Sequence, residues 1–250
     1  MNFYEIFQAH LKFFSKFGSL IMHIYILYKA NSIFLYLLIW ALCTSTGAGV
    51  WYEPYCGRDT RVDDLGLGQG PNIVLQLAEK SSLVPGEELF FDNLFTSFDL
   101  LERLSERGLG GTGTVRQNRL NRVPIVKKKE LEKKTVARGT FQTVFNKDQV
   151  LVAWKDNKAV YMGSNKYGVN PVSTCSRFNR VERKKVQVPV PAVVQRYNSG
   201  MGGVDLLDNL VACYRIPFRN IEELITNNLI IFFHFLSWPR LRFLTQSIFV

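Results

Sequence analysis

The stretch VQRYNSGMGGVDLLDNLVACYR, residues 194–215, carries two aspartates directly behind a run rich in glycine. The segment SGMGG favours a turn, and the apolar residues after it recur at a spacing that fits one broad face of a helix. Asp205 and Asp208 are three residues apart, so both carboxylates face the same side of that helix near its start. We therefore predict a helix that begins near Val204 and presents a pair of acids.

Two roles are open for this acid pair. An acidic residue in the first turn stabilises a helix through its dipole, and Asp205 can act as a cap. The other role is magnesium binding, which requires a partner acid from elsewhere in the chain. Asp92 is the candidate, because it closes the apolar strand ELFFD at a sheet edge, where α/β enzymes commonly place a site. Capping of the next helix is the alternative for Asp92.

Positive charge is concentrated in the middle of the chain. Residues 101–200 contain 21 Lys and Arg against 7 Asp and Glu, a net charge of +14, whereas the whole chain carries +10. Such a basic block indicates a polyanionic partner, and a solvated basic face without a ligand is the alternative.

Cysteine and histidine usage excludes several kinds of site. The four cysteines are far apart and form no C-x-x-C pair, so neither a zinc site nor a disulfide framework is expected. The three histidines are scattered among apolar residues, which argues against a site built on histidine.

Both ends of the chain are apolar. The runs at 17–28 and 33–43 are separated by Lys29, and each is shorter than the roughly 20 residues that span a bilayer. The C-terminal residues are similarly apolar and aromatic. A membrane anchor is therefore the less favoured interpretation.

The order of elements predicts a mixed α/β chain. Hydrophobic periodicity indicates a hairpin, a helix, a strand, a second helix, a basic β region and a final helix. We expect residues 127–134 to be exposed and mobile, and residues 181–197 to form a linker whose prolines restrict regular structure.

Six motifs in this order resemble the piggyBac transposase family over about residues 38–220. They are WYEPYCG (51–57), LGLGQGPNIVLQL (65–77), FFDNLFTSFDLL (90–101), GTGTVRQNR (111–119), VAWKDNKAVYMGSN (152–165) and RYNSGMGGVDLLDN (196–209). The resemblance implies an RNase H-like (DDE transposase) core with a basic β-rich insertion. It also implies an acid set that holds two Mg²⁺ ions, DNA cleavage and joining at TTAA targets, nuclear localisation and a homodimer.

The resemblance assigns the acids residue by residue. Asp92 takes the place of the second family aspartate, Asp205 that of the third, and Asp208 that of an accessory acid. The first aspartate belongs to a pattern like C-D-S, whereas this chain reads ALCTSTG, so Thr44 stands in its place. A hydroxyl group supplies no charge for a metal, and magnesium binding through Asp92 and Asp205 is therefore expected to be impaired.

The resemblance also assigns a DNA-binding role to the basic middle. Arg116 and Arg119 match a basic motif near the transposon DNA, and the lysine run at Lys127, Lys128 and Lys129 extends the positive charge.

The organisation expected from the resemblance has five parts. Neither end looks like the family, and the cysteine count leaves no room for its zinc domain. The parts are an apolar extension (1–37), the first part of the core (38–110), the basic insertion and β region (111–195), the catalytic-type helix (196–220) and a second apolar extension (221–250).

Three functions follow, in order of preference. The first is a domesticated or degenerate transposase fragment that keeps DNA binding without transposition. The second is an active Mg²⁺-dependent DDE transposase, which would need another acid. The third is a membrane-associated protein anchored by its apolar ends.

Overall fold

The structure is a computed structural model that describes most of the chain between residues 18 and 213. The described ranges are 18–20, 24–30, 33–55, 62–120, 123–179 and 183–213. Within them, helices pack against one large sheet, and two further strands form a separate ribbon. The predicted mixed α/β class is therefore confirmed.

The first half of the described chain contains six strands and two helices. In chain order they are β1 (Gly18–Leu20), β2 (Ile24–Ala30), β3 (Ile33–Thr44), β4 (Gly49–Pro54), α1 (Gln69–Lys80), β5 (Glu88–Phe91), α2 (Phe98–Glu106) and β6 (Gly110–Thr114).

The second half contains the basic region and the last two helices. A 3₁₀ turn (Gln117–Leu120) is followed by α3 (Lys128–Leu131), β7 (Phe141–Asn146), β8 (Gln149–Lys155), β9 (Ala159–Ser164), β10 (Ser173–Asn179), β11 (Lys184–Val190), α4 (Ala192–Gly200) and α5 (Gly203–Cys213).

Nine strands form the main sheet in the order β2-β3-β1-β5-β6-β9-β8-β7, and β4 also pairs with β3. Strand β5 runs parallel to both β1 and β6, and the other described pairs are antiparallel. Strands β10 and β11 form a separate antiparallel ribbon. The predicted β3–β4 hairpin is present.

Helices pack on both faces of the sheet. Successive side chains of a strand point to opposite faces, so alternate residues of one strand contact different helices. On β3, Trp40 and Leu42 belong to the core shared with α1 and α2. The alternate residues Ile39, Ala41 and Cys43 pack against α5. On β5, Leu89 and Phe91 lie in the first of these cores, and Phe90 lies against Gly200 of α4, so β5 also lies between two helical layers.

The glycines of the GTGT motif allow α2 to lie directly on β6. A Cβ atom at Gly113 would overlap with Thr96 Oγ1 and the Phe91 ring, and one at Gly111 would meet Leu101 and Leu104. A side chain at Gly111 would push α2 off the sheet, and one at Gly113 would displace Thr96 or Phe91. The motif is thus explained by packing, without a ligand.

Asn165 joins α2, β6 and β9 through its side-chain amide. Its Nδ2 donates to Leu101 O (3.1 Å), Ser105 Oγ (2.8 Å) and Leu109 O (3.0 Å). Its Oδ1 accepts from Gly111 N at 2.6 Å. A side-chain amide has two N–H donors, so its three acceptors share them. Both polar atoms of this half-buried side chain therefore have hydrogen-bond partners.

Residues 181–197 differ from the predicted linker. Strand β11 pairs with β10 over its whole length, with Pro189 opposite Thr174, and α4 begins at Ala192. Proline is tolerated here because only one edge of a strand in a two-stranded ribbon needs partners. Val188 and Val190 are buried, which anchors the ribbon on the sheet.

The basic segment 127–134 also differs from prediction, because it is folded rather than loose. Leu131, in α3, is only 3% exposed. Lys155 is 8% exposed, and its Nζ donates to Lys133 O at 2.6 Å and Val136 O at 2.7 Å. These hydrogen bonds from strand β8 thus hold the segment against the sheet.

No helix within the described residues is long and apolar enough to cross a bilayer. The apolar run 33–43 lies in β3, and parts of 17–28 lie in β1 and β2. The C-terminal apolar residues, the other half of the membrane-anchor hypothesis, lie outside the described residues.

Replacing Asn165 with alanine should lower the free energy of unfolding by about 2–3 kcal/mol, because buried backbone groups of three elements lose their partner. Urea unfolding measures the change. Asn198→Ala, an exposed position on α4, serves as control and should shift stability by less than about 0.5 kcal/mol. Equal stability of the two variants would contradict the role given to Asn165.

Candidate functional site

Asp92 lies at the carboxyl end of β5, beside the end of the parallel strand β6. Phe91 pairs with Gly113, so the next residues, Asp92 and Thr114, are neighbours across the sheet. Thr114 Oγ1 donates to Asp92 Oδ1 at 3.0 Å, and Asn93 N donates to the same oxygen at 2.6 Å. One carboxylate oxygen is thereby fixed in place.

Tyr197 of α4 extends this group. Its phenol hydrogen-bonds with the Thr114 hydroxyl, which therefore lies between Tyr197 and Asp92. Burial raises the pKa of Tyr197 to about 12; the Asp92 charge adds to the rise and the Thr114 hydrogen bond opposes it. The phenol is thus neutral over the ordinary pH range. Neither Thr114 nor Tyr197 was predicted from the sequence as a site residue, although β6 could have been predicted to end beside β5.

Two arginines fasten the loop that follows Asp92. Arg116 Nε donates to Asn93 Oδ1, and Arg119 donates to Thr96 O and, at 3.2 Å, to Leu94 O. Partial burial, and then the charge of Arg116, lower the pKa of Arg119 below its usual value. Both arginines thus hydrogen-bond to the loop although they are exposed. The sequence did not indicate this loop-binding role. Their contact with DNA stays a prediction.

The lysines of the predicted DNA-binding set lie on α3 and its flank. Lys127 and Lys129 are exposed, whereas Lys128 is half-buried, with its Nζ 3.9 Å from Glu132. The structure therefore leaves two of these three side chains open to a partner.

Thr44 and Asp92 lie at different positions along the strand direction of the sheet. Gly18 of β1 pairs with Thr44 on one side and with Leu89 on the other. Asp92 is three residues beyond Leu89, about 10 Å further along the strand at ~3.3 Å per residue. Strand β3 runs in the opposite direction and reaches that row near Ala41. The strand directions therefore place Thr44 and Asp92 on different rows of the sheet, although the resemblance puts both in one acid set.

Thr44 has a local structural role instead. Its side chain is buried, and its Oγ1 accepts from Ala48 N at 3.1 Å and hydrogen-bonds with Thr46 Oγ1 at 2.8 Å. These bonds close the turn between β3 and β4.

Asp205 and Asp208 are both exposed on α5, as predicted for a helix after the glycine-rich turn. Asp205 lies in the first helical turn, which suits the helix dipole. Val204 and Leu207 hold α5 against β3. Both the capping role and a metal-binding role stay open, and the approach of Asp205 to Asp92 stays a prediction.

The described residues do not fit a two-metal site. No group of three or more His, Cys, Asp or Glu among them is arranged to hold a metal ion. One oxygen of Asp92 already accepts two hydrogen bonds, and Thr44 is neutral and on another row. Two divalent ions held by so few carboxylates would keep uncompensated charge.

Arg119→Lys tests whether this side chain anchors the loop. Lysine keeps the charge but cannot reproduce the fork that reaches both carbonyls, so unfolding free energy should fall by about 1–2 kcal/mol. Arg103→Lys, at an exposed position on α2, is the control and should leave stability unchanged. Urea unfolding compares the two, and an unaffected Arg119→Lys variant would refute the anchoring role.

Known proteins resemble this chain in sequence and in fold. The family model described as Transposase IS4 matches residues 15–237. The match begins within the segment 1–37 and ends within 221–250, the two parts that the sequence analysis set outside the family.

Two human proteins are similar in sequence. PiggyBac transposable element-derived protein 3 is 37% identical over 183 residues, covering 72% of this chain and 30% of that protein. PiggyBac transposable element-derived protein 2 is 31% identical over 226 residues, covering 88% of this chain and 37% of that protein. The chain thus spans about a third of the length of these relatives.

A solved structure shares the fold. It is the cryo-EM structure of a piggyBac transposase synaptic complex with hairpin DNA, with a TM-score of 0.60 at 21% identity. The likeness covers 85% of this chain and 44% of the transposase chain. From the extent of the family match and the identity to these relatives, we conclude that the chain belongs to the piggyBac transposase family.

Proposed function

We propose that this chain is a transposase-derived nuclear protein that binds duplex DNA through its basic insertion and does not transpose. Its core is RNase H-like, an assignment supported by the parallel strands β1, β5 and β6 between two helical layers. The insertion follows β6 and ends where α4 returns to the core. A homodimer is part of the same proposal.

The observation that carries this proposal is the lysine platform, defined as residues 127–134. Its main chain is held by Lys155 from below, and Glu132 Oε1 accepts from Ala159 N at 2.9 Å. Leu131 fills the core beneath it. The side chains of Lys127, Lys129, Lys133 and Lys134 are all exposed.

A platform fixed in this way favours binding to phosphates. Lysines on an ordered segment lose less backbone freedom on binding than lysines on a mobile one. Each phosphate that they neutralise releases condensed counterions, so affinity should fall steeply with salt. The relative solved with hairpin DNA makes a nucleic acid the favoured polyanion.

Loss of cleavage is proposed from the acid set. Thr44, which the resemblance puts at the first acid position, carries no charge and lies on a different row of the sheet from Asp92, so it completes no acid set with Asp92. Phosphoryl transfer with two metal ions depends on shared carboxylate ligands in a fixed geometry. The described residues offer no such set.

Binding of a labelled duplex across a salt series tests the proposal. The double variant Lys127→Ala/Lys129→Ala should weaken binding and reduce the salt slope by roughly 0.9 for each phosphate that is no longer neutralised. The matched control is Arg103→Ala/Lys147→Ala, which removes two exposed cations that pair with Glu106 and Glu102. It should leave the slope nearly unchanged.

Two results would contradict the proposal. One is binding that does not depend on salt, because phosphate binding requires counterion release. The other is an equal loss of affinity in both double variants, which would show that net charge alone, rather than the platform, attracts DNA.

A further inference from the structure

The ribbon β10–β11 presents an outward face of polar and apolar side chains. Alternate residues of β10, namely Thr174, Ser176 and Phe178, are exposed. Their cross-strand partners are Pro189, Gln187 and Lys185, which are also exposed. Phe178 is 59% exposed and places an apolar aromatic ring among these polar side chains.

The ribbon is strongly basic. Residues 173–190 contain five Lys and Arg against one Glu. Arg183 and Lys185 are exposed at the end where the two strands turn. Charge complementarity therefore favours an anionic partner on this element, as on the lysine platform.

Asp156 fixes this end of the ribbon to the sheet. Its carboxylate receives Arg138 Nε at 2.6 Å and Arg177 Nε at 3.3 Å. Arg138 also donates to Phe178 O at 3.5 Å. The backbone that carries Phe178 is thus tied to the turn between β8 and β9.

The same turn supports the lysine platform. Lys155 directly precedes Asp156 and donates to Lys133 O at 2.6 Å. One end of the β8–β9 hairpin therefore anchors both basic elements: the platform through Lys155 and the ribbon through Asp156.

We propose that the outward face of the ribbon enters the major groove of duplex DNA and reads base edges, while the lysine platform holds the adjacent phosphates. This inference rests on the DNA-binding function proposed above. The major groove admits a two-stranded ribbon. Phosphate contacts position a protein on DNA, whereas groove contacts carry its sequence preference.

The side chains suit this task. Gln187 can pair with the edge of an adenine through its amide, and Ser176 can donate to or accept from several bases. Phe178 offers an apolar contact for a thymine methyl group, and Lys185 can reach either a phosphate or a guanine. The platform lysines, by contrast, provide charge without base-specific geometry.

The test begins with selection of bound sequences from a random duplex DNA library by the whole chain. The enriched duplex and a scrambled one are then compared with the variants Gln187→Ala and Phe178→Ala. Each should lose at least about fivefold in affinity for the enriched duplex. Affinity for the scrambled duplex and the salt slope should stay unchanged, because no charge is removed.

Asn146→Ala, which alters an exposed side chain at the end of β7, is the matched control and should bind both duplexes like the parent chain. Unfolding curves confirm that the variants fold, as expected for exposed positions. The ribbon assignment is overturned if the enriched duplex is bound equally by all variants, or if no sequence is enriched while salt-dependent binding persists. Absence of any duplex binding would overturn the proposed function itself, and the ribbon assignment with it.

Discussion

The side-chain amide of Asn165 is the interaction on which both halves of the fold depend. It connects the end of β9 to α2 and to the start of β6. The glycines of β6 then allow α2 to pack directly on the sheet. Because β6 is fixed in this way, Thr114 stands beside Asp92. The basic insertion leaves after β6, and its strand β9 pairs back with β6.

Local patterns predicted most elements, whereas long-range register decided the candidate site. The β3–β4 hairpin, α1, α2 and the strands β7 to β9 follow from periodicity and turn residues that are close in sequence. The row of Thr44 does not, because it depends on which strand lies between β3 and β5. The resemblance assigns Arg119 to DNA through the motif GTGTVRQNR. Its backbone partners, Leu94 and Thr96, become neighbours only after folding.

Under the proposed function, the fold keeps its packing around Asp92 although the acid set no longer supports cleavage. Asp92 remains surrounded by Thr114, Tyr197 and the loop held by Arg119, so removing any of these would cost stability regardless of catalysis. The basic surfaces depend on different interactions, made by Lys155 and Asp156. DNA binding by the lysine platform and the ribbon can therefore persist while the acid set decays, because these two surfaces share the sheet with the acid set but no side chains.

A cleavage assay under binding conditions measures whether the acid set around Asp92 can still cut DNA. A DNA substrate with piggyBac-like ends is incubated with Mg²⁺, at a salt concentration where the chain binds it, and compared with the Asp92→Ala variant. Bound but intact DNA is expected with both proteins, because the proposed function includes an incomplete carboxylate set. Nicking or strand transfer by the unaltered chain that disappears in Asp92→Ala would contradict it.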